Sequence, residues 1–236
     1  MKNSVRERNT VKKIISLIVL VFCVLHQAYA QQKTFIAVGG TPIALPIPAE
    51  YVSGKTNAKG MYDSIVGLTT SDITTYAIFF HRKDVDLYKS GKKMTLSEPF
   101  YTFSNGKPYD HQSISQREFE DMRYEYEQAY LQSVVQLSKE ERSVFESAKR
   151  KDMGKKWGIQ GPLHLSFNNH SDSAFTTTLV AFKKNGEPEL THFTVLRIKS
   201  KLLMFIRNSG YENRKGMIQS DIEMKNNIDA ILAANK

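Results

Sequence analysis

Cysteine is almost missing from this chain. The one cysteine among its 236 residues, Cys23, lies in an apolar run near the chain start. Met1 to Lys13 is basic, Ile14 to Leu25 is almost wholly apolar, and His26 to Ala30 ends in a small-x-small pattern. Those are the three parts of a secretory signal peptide, in order. The apolar run is about a dozen residues, short of the roughly 20 that a membrane-spanning helix needs, so the pattern predicts cleavage near Ala30 rather than a retained anchor. Lipidation at Cys23 would call for a small residue before it, and Phe22 stands there. Once Cys23 leaves with the signal, the chain from Gln31 to Lys236 has no cysteine. That excludes a thiol nucleophile, a Cys-ligated zinc and disulfide exchange, and it leaves an exported protein held by its core alone.

Recognisable catalytic motifs are absent as well. The sequence contains no His-Glu-x-x-His zinc helix, no Gly-x-Ser-x-Gly nucleophile elbow and no Walker loop. Gly39-Gly40 is followed by Thr41-Pro42, with no Lys-Ser or Lys-Thr to hold a phosphate, so it reads as a turn. Acidic residues are in the minority, at 24 against 33 Lys and Arg. The first 30 residues carry five of those cations and one of the acids, which leaves the remainder at +5. A surplus of that size favours loose attraction to anionic headgroups or wall polymers, and in an exported protein nucleic acid is not an expected partner.

What the sequence does carry is a β pattern. From Ser173 to Ile206, Ala174, Thr176, Thr178, Val180 and Phe182 alternate with Phe175, Thr177, Leu179 and Ala181. Asn185-Gly186 then marks a hairpin turn, Pro188 is expected to stay out of the ladder, and Leu190 to Lys199 and Leu202 to Arg207 follow as strands. Earlier in the sequence, Lys33 to Val38 and Ile43 to Leu45 read as a hairpin. Gly54 to Ser71 reads as a loop with a short helix near Met61. Thr74 to Phe80 is apolar enough for a central strand, and His81-Arg82-Lys83-Asp84 reads as a solvated strand end. Met94 to Phe103 is a further strand with Pro99 at an edge or bulge.

Ser115 and Glu118 form a capping box, with Ile114 and Phe119 as its hydrophobic staple. Phe119, Met122, Tyr126, Tyr130 and Leu137 make one helical stripe, while Tyr124 falls off it. Ser138 and Glu141 predict a second helix, ending near Met153. Leu163 to Phe167 is a strand, and Asn168 to Asp172 a turn whose Asn169-His170-Ser171 triplet matches a glycosylation acceptor. A last helix from about Lys215 to Ala234 presents Ile218, Ile222, Met224, Ile228, Ile231 and Leu232 as one apolar face. The sum is an α+β fold: about seven strands, mostly antiparallel, with a central helical pair and a C-terminal helix packed on the sheet, in a single domain over 31–236.

Candidate chemistry is sparse. Asp110 and His111 sit side by side in a polar loop and with a serine would furnish an acid–base pair, and His164 is a second candidate base. His164, His170 and Asp172 are the candidate metal ligands, although their spacing is unspecific. No cofactor is expected. Lys149, Arg150, Lys151, Lys155 and Lys156 form a basic surface suited to a membrane face or an envelope protein partner.

Leu45-Pro46-Ile47-Pro48-Ala49-Glu50-Tyr51, together with Leu202 to Ile206 and the terminal Ile231-Leu232-Ala233-Ala234-Asn235, resembles a group of small exported bacterial proteins of uncharacterised function. The resemblance implies export and an α+β domain, and it transfers no active-site residue. The reading that follows is an exported, periplasmic, non-catalytic binding or accessory protein of the cell envelope. The alternatives are a cofactor-free hydrolase working through a His/Ser-type site and a peripheral membrane-surface binder.

Overall fold

A computed structural model describes residues 32–92, 96–136, 163–182, 188–211 and 213–236. The expected signal segment, the second helix near Ser138 and the basic run Lys149–Lys156 lie outside the described residues. Strands β1 (Gln32–Val38) and β2 (Thr41–Ile47) pair antiparallel as a sheet of their own. Gly39 and Gly40 connect them with φ of +53° and +81°, the left-handed pair that a two-residue hairpin loop requires. After β3 (Tyr51–Ser53), the polar stretch expected to be mainly loop forms two short helices, α1 (Gly54–Asn57) and α2 (Lys59–Val66). Met61, fully buried against Ile78 and Phe80, pins them to the sheet.

Strand β4 (Ile73–His81) leads directly into helix α3 (Arg82–Lys89), whose N-cap is His81. The charged cluster at 81–84 is therefore a helix start and not a solvated strand end. Asp84 is buried and accepts from Ser97 N, Ser97 Oγ and Glu98 N at 3.2, 2.6 and 3.0 Å. Three donors compensate the desolvated carboxylate and anchor the approach to β5 (Phe100–Gly106). A 3-10 turn, Lys107–Tyr109, follows, and then helix α4 (Gln116–Gln136). The capping box forms as expected, with Ser115 N donating to Glu118 Oε2 at 2.7 Å and Glu118 N donating to Ser115 Oγ at 3.2 Å.

The remaining strands are β6 (Leu163–Ser171), β7 (Ala174–Phe182), β8 (Pro188–Ile198) and β9 (Lys201–Gly210), closed by helix α5 (Arg214–Ala234). Seven strands form one antiparallel sheet in the order β3-β4-β5-β9-β8-β7-β6. The meander is thus β7-β8-β9, in register from Phe182↔Pro188 to Ile198↔Lys201. Pro188 does enter the ladder, as the first residue of its strand, which is a position that tolerates the missing donor. The Asn168–Asp172 stretch continues β6 as far as Ser171, since its residues pair with β7. The apolar β4 is second from one edge and not central, because β5 pairs onward with β9.

Strand alternation sorts the core into two faces. On one, α5 and the β1–β2 hairpin cover Phe79, Phe103, Leu196, Leu203 and Phe205. On the other, α4 brings Phe119 onto Phe175 and Val195, while α1–α3 cover Ile78 and Phe80. The architecture is the expected α+β layering, with α5 on the sheet. Its apolar face is narrower than expected: Met224, Ile228 and Ile231 are buried, whereas Ile218 and Ile222 are 49% and 50% exposed. Among the described residues no helix is long and apolar enough to cross a membrane.

Candidate functional site

Helix α5 crosses the sheet over a row of polar side chains. Arg207 on β9 lies opposite Tyr101 on β5 and His192 on β8, and His192 lies opposite Thr178 on β7. Alternation turns this row toward the helix. The helix meets it with four polar residues. Asp221 Oδ1 is 2.8 Å from His192 Nε2 and accepts from Thr178 Oγ1 at 3.2 Å. Glu223 Oε2 accepts from Arg207 Nη2 at 2.8 Å, Ser220 Oγ bonds Arg207 Nη1, and Asn227 Nδ2 donates to Tyr101 OH at 3.4 Å. His192 is fully buried and Arg207 is 4% exposed. Charged and polar groups at such depth persist only when paired. Two atoms of the row nevertheless lack a partner, His192 Nδ1 and Arg207 Nε.

A second row lies beside it. Thr176 Oγ1 and Thr194 Oγ1 are 2.7 Å apart, and His170 Nε2 is 2.9 Å from Thr176 Oγ1. Burial pushes the His170 imidazole below its ordinary range, and the nearby Lys225 ammonium adds to this.

Where the row reaches the start of α5, the surface opens into a cleft of about 270 Å³. Arg207, Ser209, Ser220 and Glu223 supply its polar wall, and Pro99, Leu190, Tyr211 and Met217 its apolar one. Arg207 is buried, whereas the Glu223 side chain facing it is 46% exposed. An apolar concavity with a few convergent polar groups is the usual form of a small-ligand site, and this one falls just below the usual size of roughly 300–1,000 Å³, which suits only a short ligand segment. A larger hollow of about 590 Å³ lies at the other end of α5, beside Asp172, Arg197, Lys199 and Asp229. Two of its three cations are committed to the scaffold: Arg197 Nε donates to Ile114 O at 2.7 Å and Lys199 Nζ to Pro42 O at 3.0 Å, while Lys236 is the third.

The residues singled out from sequence are distributed elsewhere. Asp110 accepts from Thr74 Oγ1 and from Tyr76 OH at 2.6 Å. Burial, reinforced by that bond to Asp110, drives the Tyr76 phenol well above its ordinary range. His111 is exposed, and its carbonyl accepts from Lys201 Nζ at 2.9 Å. His164 sits on β6 opposite Leu179, and its side chain lies outside the described residues. His170 points to Thr176, while Asp172 is exposed in the β6–β7 turn, its carbonyl accepting from Gln116 Nε2 at 2.8 Å. Among the described residues no three His, Cys, Asp or Glu side chains converge as metal ligands. Tyr126 and Tyr130 are half-buried and stack on Phe193 and Phe167, Tyr126 against the core under α4, and Tyr124 is exposed.

Sequence reasoning passed over His192, Arg207, Asp221 and Glu223. The signal that could have found them is that period-two alternation turns His192 and Arg207 to the same face as Leu196, Leu203 and Phe205. A charged side chain on a buried face is the informative case.

No family model matches the protein, and no curated protein matches it. Among solved structures, the Saccharomyces cerevisiae Ran-binding protein Mog1p aligns over 87% of this chain and 93% of its own at 9% identity, with a TM-score of 0.34. A mutant of protein Mog1 aligns over 86% and 93% at 10% identity, with a TM-score of 0.33. Likenesses this distant carry no functional argument.

Proposed function

We propose that the protein is an exported, non-catalytic binding protein of the cell envelope, and that it holds its ligand or partner in the cleft over Arg207. The observation that supports this reading is the cleft itself: a fixed, buried guanidinium beside an apolar wall, built from the approach to β5, from β8 and β9, and from the first turns of α5. Recognition needs a preorganised concavity of this kind. Export rests on the basic, apolar and small-residue order of Met1 to Ala30.

The test uses the protein from Gln31 to Lys236 as bait in envelope extract, with Gly216→Trp as a control that fills the cleft. Gly216 lines the cleft, and a Cβ built there has Asn213 Oδ1 at 3.8 Å as its nearest neighbour, so a side chain can leave the backbone at this position without a collision at its first atom. A stoichiometric companion retained by the natural protein and lost by Gly216→Trp is the expected result. Hydrolysis of an activated ester that disappears in His111→Ala, or equal retention by both baits, would overturn it. Export is checked separately, by finding a protein that begins at Gln31 in the periplasmic fraction.

A further inference from the structure

We propose that the cleft over Arg207 is a site for a carboxylate carried on a short apolar stem, and that Glu223 is the group this carboxylate displaces. The inference rests on the binding reading above and names the chemistry of what is bound. A guanidinium offers Nε–H and Nη2–H as parallel donors along one edge, a fork that matches the two oxygens of a carboxylate. In Arg207 that fork is half used. Glu223 Oε2 takes Nη2 at 2.8 Å, while Nε is buried without a partner.

Glu223 is also poorly placed to fill both prongs. Its second oxygen, Oε1, accepts from Gln219 Nε2 at 3.3 Å, toward the helix surface. A residue whose side chain is 46% exposed is thus supplying the counter-charge for one that is 4% exposed. Meanwhile Ser209 Oγ, at 3.4 Å, and Ser220 Oγ hold Nη1, so the fork keeps its orientation. A carboxylate free of the helix can occupy Nε and Nη2 together, and Glu223 can then turn to solvent with its charge hydrated. Pro99, Leu190 and Met217 receive the stem. Phosphate would gain nothing from that apolar wall, and an amide would lack the charge.

The experiment uses hexanoate as the probe and hexanamide, of nearly the same shape, as its neutral control. Both are titrated near neutral pH into the protein from Gln31 to Lys236 by calorimetry, with thermal melting alongside. Hexanoate is expected to bind and raise the melting temperature, and hexanamide to do neither. Glu223→Gln removes the competing charge and leaves its size, so hexanoate affinity is expected to rise about tenfold. Gly216→Trp is expected to lose binding while still melting cooperatively. N-acetyl-leucine assigns the source, because tighter binding than hexanoate points to the terminal carboxylate of a peptide and weaker binding to a free acid.

Equal binding of the acid and its amide would overturn the inference, as would an affinity unchanged or lowered by Glu223→Gln. No binding of hexanoate to either form would also overturn it. If the companion of the pull-down is nevertheless lost in Gly216→Trp, the carboxylate assignment fails and the binding reading stands.

Discussion

Asn235 pairs with Ala44 as a neighbouring strand would. Its Nδ2 donates to Ala44 O and its Oδ1 accepts from Ala44 N, both at 2.8 Å and 191 residues apart in sequence, while Nδ2 also donates to Ile231 O. The end of α5 is thereby fastened to β2, and with it the hairpin whose Ile43, Leu45 and Ile47 share the core with Met224, Ile228 and Ile231. Replacing the amide leaves two buried backbone groups of β2 unpaired. Asn235→Ala is expected to lower stability by about 2–3 kcal/mol, read from urea unfolding. Asn235→Asp should cost at least as much, since it removes both donors and sets a charge against two carbonyl oxygens. A loss under about 0.5 kcal/mol for either would show that water replaces the amide freely.

Asp221 holds His192 and Thr178 beneath α5, and His192 has no exposure through which water could take its place. Asp221→Ala therefore strands a ring nitrogen and a hydroxyl together. The expected cost is about 2–3 kcal/mol by equilibrium unfolding. Asp221→Asn keeps an acceptor at the same position and should cost about 1 kcal/mol. If the two variants lost the same amount, the carboxylate charge and not the hydrogen bonding would be the source of the stability.

The elements read correctly from sequence were those written in local spacing. The Ala174–Phe182 alternation, the Ser115–Glu118 capping box and the Gly39-Gly40 turn each depend on residues within a few positions of one another. The position of β4 depends instead on the pairing of β5 with β9, about a hundred residues away, as in the Asn105 Nδ2 to Leu202 O bond between residues 97 apart in sequence. No local pattern encodes that. The cleft was illegible for the same reason. His192 and Arg207 find Asp221 and Glu223 at separations of 29 and 16 residues, on a helix whose Ile218 and Ile222 suggested another rotation. The polar pairs help fix which side of α5 faces the sheet, and a count of apolar residues cannot see them.

His170 supplies a pH dependence. Burial lowers its folded pKa below the ordinary 6.5, so below that value the unfolded state binds more protons at this site than the folded one. Its contribution is fully present above pH 6.5 and is lost as pH falls from there toward the folded pKa. The natural protein should lose melting temperature over that window, and His170→Asn should lose less of it. The difference between the two profiles isolates this residue from the carboxylates, which titrate lower. Parallel profiles would mean that protonated His170 finds a partner in the folded state.

Gly39 and Gly40 share a turn and a positive φ, but only Gly39 is enclosed. A Cβ built on Gly39 would lie 2.1 Å from Asp110 O, against backbone that is itself held by Thr74 and Tyr76 through the Asp110 side chain. At Gly40 a Cβ meets nothing within 4 Å. Gly40→Ala should therefore cost about 1 kcal/mol, the strain of a left-handed residue alone. Gly39→Ala adds a collision that can be relieved only by moving the hairpin or the Asp110–His111 loop, and should cost about 3 kcal/mol or more. Asparagine discriminates the two causes. It tolerates positive φ, so Gly40→Asn should be nearly neutral, while Gly39→Asn keeps the collision and stays strongly destabilised. A Gly39→Asn variant as stable as the natural protein would mean that the hairpin tip moves freely from the Asp110–His111 loop, and that the contact with Asp110 contributes nothing to holding β1 and β2 on the sheet.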